Sequence, residues 1–372
     1  MSMQRKIPWF RTALLLPILI VLVIFGQGYV RSFITEITGE TTALPGYLDE
    51  IVPALMAKHK VPGVSIVGIE QRRIAWSRQY GVRRAGSADP VTAETLFEAA
   101  SMSKPVAAYT ALKLVEQGKL DLDRPLHEYL GQPYLPDEPL HLKITARMVL
   151  AHTTGFPNWR AGDRLRVKAE PGTRFTYSGE GFTYLQRVIE HITGESFVPY
   201  LRRTLLDPLG IKNGSFSWRD GFSALAAVGH DGNGVVLPSR KLYRKANIAY
   251  SFYCSPTEYA LFLLEMMRLN RSAAHSLSAA SIEAMLTPTT KTATDSLIRR
   301  DGSRPVSSHY GLGWAIDLTA SGRRIRHSGS NAVGFRCYCE FYPQLGSGIV
   351  IMTNGAGGTN LWRKIIEVVG KP

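Results

Sequence analysis

Cysteine is scarce in this 372-residue chain, which contains only Cys254, Cys337 and Cys339. An odd, small number of cysteines excludes the disulfide framework that stabilises many small secreted proteins. Cys337 and Cys339 are two residues apart in a predicted strand, so their side chains point to the same face and are poorly placed to bond each other. We therefore interpret all three as small buried apolar residues.

Metal-ligand spacing and nucleic-acid motifs are also missing from the sequence. The nine histidines show no spacing typical of a zinc site, and neither a metal nor another cofactor is expected. The formal charge is +14, but the basic residues are scattered in short clusters and form no long run. A solvated basic surface explains this charge better than a nucleic-acid site does. Attraction to an anionic cell envelope is a second interpretation.

The N-terminus carries a membrane-targeting pattern. Arg5, Lys6 and Arg11 precede an uninterrupted apolar run over residues 13–25. The run is short for a spanning helix, which favours a cleaved signal peptide, but no clean cleavage site follows it. We predict that residues 1–30 form an uncleaved membrane anchor, and a secreted protein is the alternative. The positive charge before the run places the rest of the chain outside the cytoplasmic membrane, in the periplasm or at the cell surface.

Strand patterns lie towards both ends of the chain, and helix patterns dominate between them. Residues 63–70 and 73–82 are typical of a hairpin, and four more strands are predicted after residue 305. This order indicates an α+β fold, in which one antiparallel sheet is built from both chain ends and flanked by helices. A largely helical lobe, roughly 120–300, is inserted between the two sets of strands. The predicted C-terminal strands are 310–318, 324–328, 335–342 and 348–353, followed by a helix at 359–369.

Helices are predicted wherever apolar residues recur at helical spacing. Ser255 and Glu258 form a capping box with Pro256 at the first helical position, which predicts a helix to about residue 268. With residues 31–45 interpreted as a linker, the predicted domain is 46–372. The other predicted helices are 47–59, 101–117, 182–192 and 281–286.

Ser101 and Lys104 lie at the start of one predicted helix. Residues three apart share a helix face, so the lysine ammonium reaches the serine hydroxyl. Serine is a weak nucleophile until a base takes its proton, and a desolvated lysine is such a base. The unpaired backbone N–H groups of a helix start also suit a developing oxyanion. Taken alone, however, this spacing is better explained by a serine cap beside a surface lysine.

Two later motifs add groups that would suit the same chemistry. Tyr177 begins the triplet Tyr-Ser-Gly, and a tyrosine hydroxyl near a lysine can pass protons between nucleophile and leaving group. His327 begins the run His-Ser-Gly-Ser at the end of a predicted strand, where small residues let a substrate approach the strand edge. Considered singly, Tyr177 is better explained as a structural tyrosine, and His327 is better explained as a histidine that flanks a turn.

In this order, the three motifs resemble the serine penicillin-recognising family, particularly class C β-lactamases and the related D-alanyl-D-alanine carboxypeptidases and esterases. The resemblance runs from about residue 48 to the C-terminus. It implies a β-lactamase/transpeptidase-like fold. Further segments that carry it are residues 115–123, 148–157, 207–211 and 311–314.

The resemblance also implies roles for individual residues. Ser101 attacks a carbonyl and forms an acyl-enzyme, while Lys104 and Tyr177 move the proton. The backbone N–H groups of Ser101 and Ser330 form the oxyanion hole. The implied substrate-binding residues are His327, Ser328, Gly329 and Gly179.

Two positions depart from the pattern of the family. Gly179 stands where relatives usually carry an asparagine that hydrogen-bonds an acylamino group, and His327 stands where many carry lysine. The histidine is expected to make carboxylate recognition weaker and pH-dependent. Two aromatic residues lie in or just after the family-like segment 148–157. His152 is interpreted as structural, whereas Trp159 is equally well explained as lining the cleft or as packed on the surface.

The sequence therefore predicts a serine hydrolase that acts on an ester, an amide or a D-amino-acid peptide, with cell-wall peptides as one candidate source. A true β-lactamase or D-alanyl-D-alanine carboxypeptidase is the alternative within enzymes. A catalytically silent protein that binds cell-envelope ligands is the alternative from another class. The presence of Ser101, Lys104 and Tyr177 disfavours that last interpretation, because a silent protein needs none of them.

Overall fold

The computed structural model describes residues 43–162, 164–238, 242–294, 304–320 and 322–369. The predicted anchor at 1–30 and most of the predicted linker lie outside these residues. Within them, no helix combines the length and the apolar character needed to cross a membrane. The chain forms two compact units, one ending at Glu50 and the other beginning at Ile51.

The main sheet has eight strands, which are β1 Gly63–Glu70, β2 Arg73–Gly81, β5 Thr290–Thr292, β6 Ser307–Tyr310, β7 Ala315–Thr319, β8 Gly322–Ser330, β9 Arg336–Tyr342 and β10 Ser347–Thr353. Their order across the sheet is β2-β1-β10-β9-β8-β7-β6-β5. All neighbouring strands run antiparallel. β1 pairs with β10, with Val64 opposite Thr353, and this pairing joins the N-terminal hairpin to the C-terminal strands. The predicted sheet built from both chain ends is therefore confirmed.

A second, two-stranded sheet is formed by the short strands β3, Phe97–Glu98, and β4, Tyr253–Cys254. Helices supply most of the remaining regular structure. The α-helices are α1 Ala43–His59, α2 Ser103–Glu116, α3 Ala146–Leu150, α4 Gly179–Thr193, α5 Phe197–Leu201, α6 Pro256–Met266, α7 Ala279–Leu286 and α8 Gly358–Val369. A π-helical turn spans Arg202–Leu206, and 3₁₀ turns span Ala100–Met102, Leu126–Tyr129, Pro139–Lys143 and Asp220–Ala224.

The main sheet is covered by helices on both faces. On one face, Tyr338 of β9 stacks on Trp362 of α8, with ring centroids 4.4 Å apart. Phe341 lies three residues further along β9, so its side chain points to the opposite face. There it packs against Trp314, which stacks on Phe262 of α6. Burial on both sides explains why every position of β10 is buried, in keeping with its continuous apolar sequence.

The helix predictions agree with the structure except at their ends. The helix predicted at 47–59 begins earlier, at Ala43, and the one predicted at 101–117 starts as a 3₁₀ turn before α2. The capping box is present, because the Ser255 hydroxyl accepts from the backbone N–H of Glu258 and the Glu258 carboxylate accepts from the backbone N–H of Ser255. As expected, all three cysteines are buried and free.

One strand prediction is wrong. The strand expected at 310–318 is two strands, β6 and β7, joined by a tight turn. Gly313 makes this turn possible, because its φ of +86° lies in a region that residues with side chains rarely adopt. A Cβ at Gly313 would also lie 2.5 Å from the Cβ of Ala108. The alternating apolar pattern continues through the turn, and this continuity hid it from sequence analysis.

A buried ion pair holds β7 against β8. Asp317 of β7 is fully buried, and its carboxylate contacts the guanidinium groups of Arg324 and Arg326 at 2.6 Å each. Arg324 is itself only 1% exposed. Because β8 ends in the segment 327–330, this pair also fixes the strand that carries one of the three sequence motifs.

We expect Asp317→Asn to lower the free energy of unfolding by about 3 kcal/mol, because it removes the charge of a buried carboxylate that two guanidinium groups contact. Urea denaturation measures this change. The matched control is Asp89→Asn, which removes a pair with Arg83 whose carboxylate is 58% exposed. The control should lose less than about 1 kcal/mol. Equal losses in the two variants would contradict the role assigned to Asp317.

Candidate active site

The contact between Ser101 and Lys104 is present in the structure. Ser101 lies in the 3₁₀ turn Ala100–Met102, and Lys104 follows in the first turn of α2. Side chains three residues apart nearly eclipse each other in a 3₁₀ turn. The Lys104 Nζ donates a hydrogen bond to the Ser101 Oγ over 3.2 Å. Ser101 keeps some exposure to solvent, whereas Lys104 is fully buried, so a reactant can reach the hydroxyl but not the amine.

The backbone at this turn is strained. Ala100 has a φ of +48°, a conformation that residues with side chains adopt rarely and at some energetic cost. Surrounding hydrogen bonds hold it in place: the backbone N–H of Ala99 donates to the Phe252 carbonyl at 2.8 Å, and the Tyr259 hydroxyl donates to the Met102 carbonyl at 3.0 Å. The position of Ser101 is therefore fixed by tertiary contacts on both sides of it.

The surroundings of Lys104 favour its neutral form. Its Nζ donates to the Ala249 carbonyl at 2.8 Å and lies 4.7 Å from the centre of the Tyr177 ring. No carboxylate forms an ion pair with it within the part of the chain that the structure describes. Burial lowers the pKa of Lys104 to about 7. Near neutral pH, a large fraction of this amine can therefore accept a proton from Ser101.

Tyr177 is held beside this pair by His152. The His152 carbonyl accepts from the backbone N–H of Thr176 at 2.7 Å, and its Nδ1 accepts from the backbone N–H of Ser178 at 3.0 Å. The ring centroids of His152 and Tyr177 lie 4.2 Å apart. Tyr177 also hydrogen-bonds Ser101, and burial raises the pKa of its phenol. Tyr177 therefore stays protonated and can pass a proton on, and His152 has the structural place expected from the sequence.

The end of β8 lies against the turn that carries Ser101. β7 pairs with β8 only as far as Arg326, which leaves the edge of β8 from 327 to 330 without a neighbour from β7. A Cβ at Gly329 would lie 2.0 Å from the Ala99 carbonyl oxygen, so only glycine permits this approach. The structure thereby brings Ser330, predicted to supply an oxyanion N–H, next to the turn of Ser101.

His327 is neutral and fully hydrogen-bonded. Its Nδ1 lies 2.8 Å from the Ser328 carbonyl, and its Nε2 lies 2.9 Å from the Tyr310 hydroxyl. A carbonyl only accepts, so Nδ1 carries the hydrogen and Nε2 accepts from Tyr310. The pKa of His327 is lowered to about 3, mainly by burial and to a smaller extent by the charge of Lys104. The histidine therefore offers no cation to a carboxylate near neutral pH. The pH dependence of carboxylate recognition that the sequence predicts is not expected from His327 in that pH range.

The space beside Gly179 is filled by Trp159. Gly179 is the first residue of α4, and a Cβ there would lie 2.3 Å from the Cη2 of Trp159. The indole is nevertheless 44% exposed. Where relatives are expected to carry an asparagine side chain, this protein has an aromatic face. Of the two interpretations of Trp159, the structure therefore favours the one that puts it at the site.

Several groups at the site have no signal in the sequence. Ala249 acts through its backbone carbonyl, which no side-chain pattern reveals. Its segment is fixed because the Asn247 side chain accepts from the Ala249 N–H at 2.9 Å. The Ser103 hydroxyl accepts a hydrogen bond from the backbone N–H of Phe252 at 3.0 Å, a contact that the sequence motif does not indicate. Within the described ranges, no group of three or more histidine, cysteine, aspartate or glutamate residues is placed to hold a metal ion.

Sequence comparison finds a family model that matches most of the chain and relatives that match about half of it. A sequence model of the Beta-lactamase family matches residues 48–369. The chain is 24% identical over 202 residues to Protein flp of Staphylococcus aureus (strain N315), which covers 50% of this chain and 41% of that protein. It is 26% identical over 215 residues to Esterase EstB of Burkholderia gladioli, which covers 49% of this chain and 54% of that protein. The chain thus matches about half the length of these relatives.

Solved structures show the same fold. The octameric penicillin-binding protein homologue from Pyrococcus abyssi superposes with a TM-score of 0.71 at 25% identity, covering 84% of this chain and 74% of that chain. D-alanine carboxypeptidase AmpC from Burkholderia cenocepacia superposes with a TM-score of 0.72 at 21% identity, covering 88% of this chain and 99% of that chain. These structures share the arrangement of one antiparallel sheet flanked by helices.

The lowered pKa of Lys104 predicts how the reactivity of Ser101 depends on pH. The rate of labelling by a fluorophosphonate should rise with pH through a limb near 7, because Lys104 must lose its proton before it can accept one. Labelling rates between about pH 5.5 and about pH 9 measure this limb. The exposed Lys119→Ala variant should keep the same limb, whereas Lys104→Arg should label far more slowly. A rate that does not change across this range would contradict the assignment.

Proposed function

The chain belongs to the Beta-lactamase family, and we propose that it is a serine hydrolase that forms an acyl-enzyme on Ser101. One observation carries the proposal: the Ser101 Oγ lies 3.2 Å from the Nζ of a fully buried Lys104. A buried amine with a pKa near neutrality is suited to take the serine proton. A catalytically silent binding protein would have no use for this pair.

Acylation begins with attack of the Ser101 Oγ on the substrate carbonyl carbon. The hydroxyl proton passes to the Lys104 Nζ, and the carbonyl electron pair moves onto oxygen. The backbone N–H groups of Ser101 and Ser330 stabilise this oxyanion. When the carbonyl re-forms, the bond to the leaving group breaks, and the leaving group receives the proton from Lys104 through the Tyr177 hydroxyl. The products of this step are a free alcohol or amine and acyl-Ser101.

Deacylation repeats the sequence with water as the nucleophile. Water attacks the acyl carbon while its proton moves to Lys104, directly or through Tyr177. Collapse of the second tetrahedral intermediate breaks the bond to the Ser101 Oγ, which takes the proton back. An acid is released, and the enzyme returns to its starting state without a cofactor.

Two features of the site support esters as the preferred substrates. Gly179 offers no side-chain amide to an acylamino group, and Trp159 occupies the adjacent space. His327 is neutral, so it gives no charged contact to the carboxylate of a β-lactam or peptide. Esters need neither contact and have a better leaving group than amides. A β-lactamase or D-alanyl-D-alanine carboxypeptidase activity is the second candidate, and the fold favours it.

We also propose that the enzyme acts outside the cytoplasmic membrane on small-molecule or peptide substrates. This proposal rests on the basic N-terminus and the apolar run at 13–25. Cell fractionation with N-terminal sequencing tests it. Recovery of the full-length protein in the cytosol would contradict it, whereas a mature protein starting near residue 29 would replace the anchor with a cleaved signal.

Ser101→Ala should abolish covalent labelling by a fluorophosphonate and hydrolysis of p-nitrophenyl acetate, because it removes the hydroxyl that forms the acyl-enzyme. Intact-mass measurement detects the adduct, and circular dichroism checks that the fold is retained. Ser223→Ala, at an exposed serine far along the chain, is the control and should label normally. Normal turnover by folded Ser101→Ala protein would end the proposal.

Relative activity separates the two candidate substrate classes. We expect kcat/KM for p-nitrophenyl acetate to exceed that for nitrocefin and for a D-alanyl-D-alanine peptide. A missing neutral hydrogen bond of about 0.5–1.5 kcal/mol corresponds to roughly two- to tenfold in a rate constant. Steady-state kinetics with the three substrates measure the ranking. Efficient nitrocefin hydrolysis with negligible esterase activity would reverse it and favour the β-lactamase candidate.

A further inference from the structure

The residues on either side of Trp159 are both hydrogen-bonded to the start of α4. The preceding residue, Asn158, accepts hydrogen bonds from the backbone N–H groups of Gly179 and Glu180 at 3.0 and 3.1 Å. The following residue, Arg160, pairs with the Glu180 carboxylate at 2.8 Å, and its own N–H donates to that carboxylate at 3.1 Å. Both neighbours are thus fixed to the start of α4. The backbone of Trp159 is therefore anchored on both sides, and its indole lies over the backbone of Gly179.

Two tyrosines extend the indole into an aromatic row. Tyr250 packs edge-on against Trp159, with ring centroids 5.4 Å apart, and Tyr243 packs against Tyr250 at 5.1 Å. None of the three rings is fully buried, and Trp159 keeps 44% of its surface exposed. A contiguous aromatic surface that is partly open to solvent is typical of places where a protein binds an apolar ligand. We call Trp159, Tyr250 and Tyr243 the aromatic row.

The aromatic row borders the candidate catalytic groups. Tyr250 directly follows Ala249, whose carbonyl accepts the hydrogen bond from Lys104. Gly179, beneath the indole, is two residues after Tyr177. Consecutive Cα atoms are only about 3.8 Å apart, so these links keep the row close to the nucleophile.

The row carries no net charge. Its rings are neutral, and the nearby Arg160 is paired with Glu180. Burial raises the pKa of Tyr250, which keeps its phenol protonated. A flat uncharged group would gain favourable ring contacts here.

We propose that the aromatic row is a specificity-determining subsite that binds a planar apolar ring of the substrate, so that aryl-bearing esters are the preferred substrate class. This inference rests on the proposed serine hydrolase function. The ring can belong to the acyl part or to the leaving group, and both sources share the same chemistry. Substrates that carry the ring on one side or the other distinguish them.

The test compares three esters in variants that alter the row. Phenyl acetate carries the ring in the leaving group, methyl phenylacetate carries it in the acyl part, and methyl butyrate has no ring. Each result is expressed as the ratio of variant to wild-type kcat/KM, so intrinsic differences in ester reactivity cancel. Trp159→Ala should lower this ratio about tenfold for at least one ring-bearing ester, the size expected for loss of an aromatic contact. The ratio for methyl butyrate should stay within about twofold.

A matched pair of glycine variants displaces the indole without deleting it. In Gly179→Ala the new Cβ would lie 2.3 Å from the indole, so Trp159 must move, and the ring-bearing esters should again lose selectively. In Gly181→Ala, in the same helical turn, the nearest atom to the new Cβ is 3.4 Å away, in ordinary contact. That control should keep wild-type ratios for all three esters. Equal losses for esters with and without a ring, or no loss for either ring-bearing ester, would overturn the proposal.

A binding measurement separates this inference from the proposed function. In Ser101→Ala protein, calorimetry should find methyl phenylacetate or phenyl acetate bound about tenfold more weakly once Trp159→Ala is added. This arm needs no turnover. Ring-dependent binding without hydrolysis by the wild-type protein would defeat the proposed function and leave the subsite standing. Binding of both esters that is unchanged by Trp159→Ala would defeat the subsite alone.

Discussion

The chemistry of the candidate site follows from one constraint: Lys104 is fully buried, and no carboxylate among the residues that the structure describes pairs with its ammonium group. The amine contacts a serine hydroxyl, a backbone carbonyl and the rings of Tyr177 and Phe182. None of these repays the loss of water around a full positive charge, so the pKa falls to about 7. The same burial that disfavours the ammonium produces a base beside Ser101.

That constraint extends to the neighbouring groups. Burial lowers the pKa of His327, and the charge on Lys104, when it is present, lowers that pKa further. Histidine is therefore kept neutral, with each ring nitrogen occupied by one hydrogen bond. Trp159 and Gly179 remove another polar contact from the same region. The two departures from the family pattern thus have one physical character, because each makes the site less charged and less polar around the nucleophile.

The fold supplies the rigidity that such a site requires. Gly329 lets β8 approach the strained turn at Ala100, and the buried Asp317 pair fixes β8 from its other side. His152 fastens the residues on both sides of Tyr177. The contacts of Gly329 and of His152 join segments that are distant in the sequence. The turn that carries Ser101 is therefore held in its strained form by the packed molecule rather than by its own local preference.

Local patterns were enough to predict several features: the three-residue spacing of Ser101 and Lys104, the capping box at Ser255, the family, and an antiparallel sheet drawn from both chain ends. Spacing, capping and alternation are properties of neighbouring residues, so they can be recognised without a structure. The folded chain was needed to reveal the turn at Gly313, the Ala249 carbonyl at Lys104, the neutral His327 and the indole over Gly179. These depend on burial and on contacts between residues far apart in the chain, and no local pattern contains either.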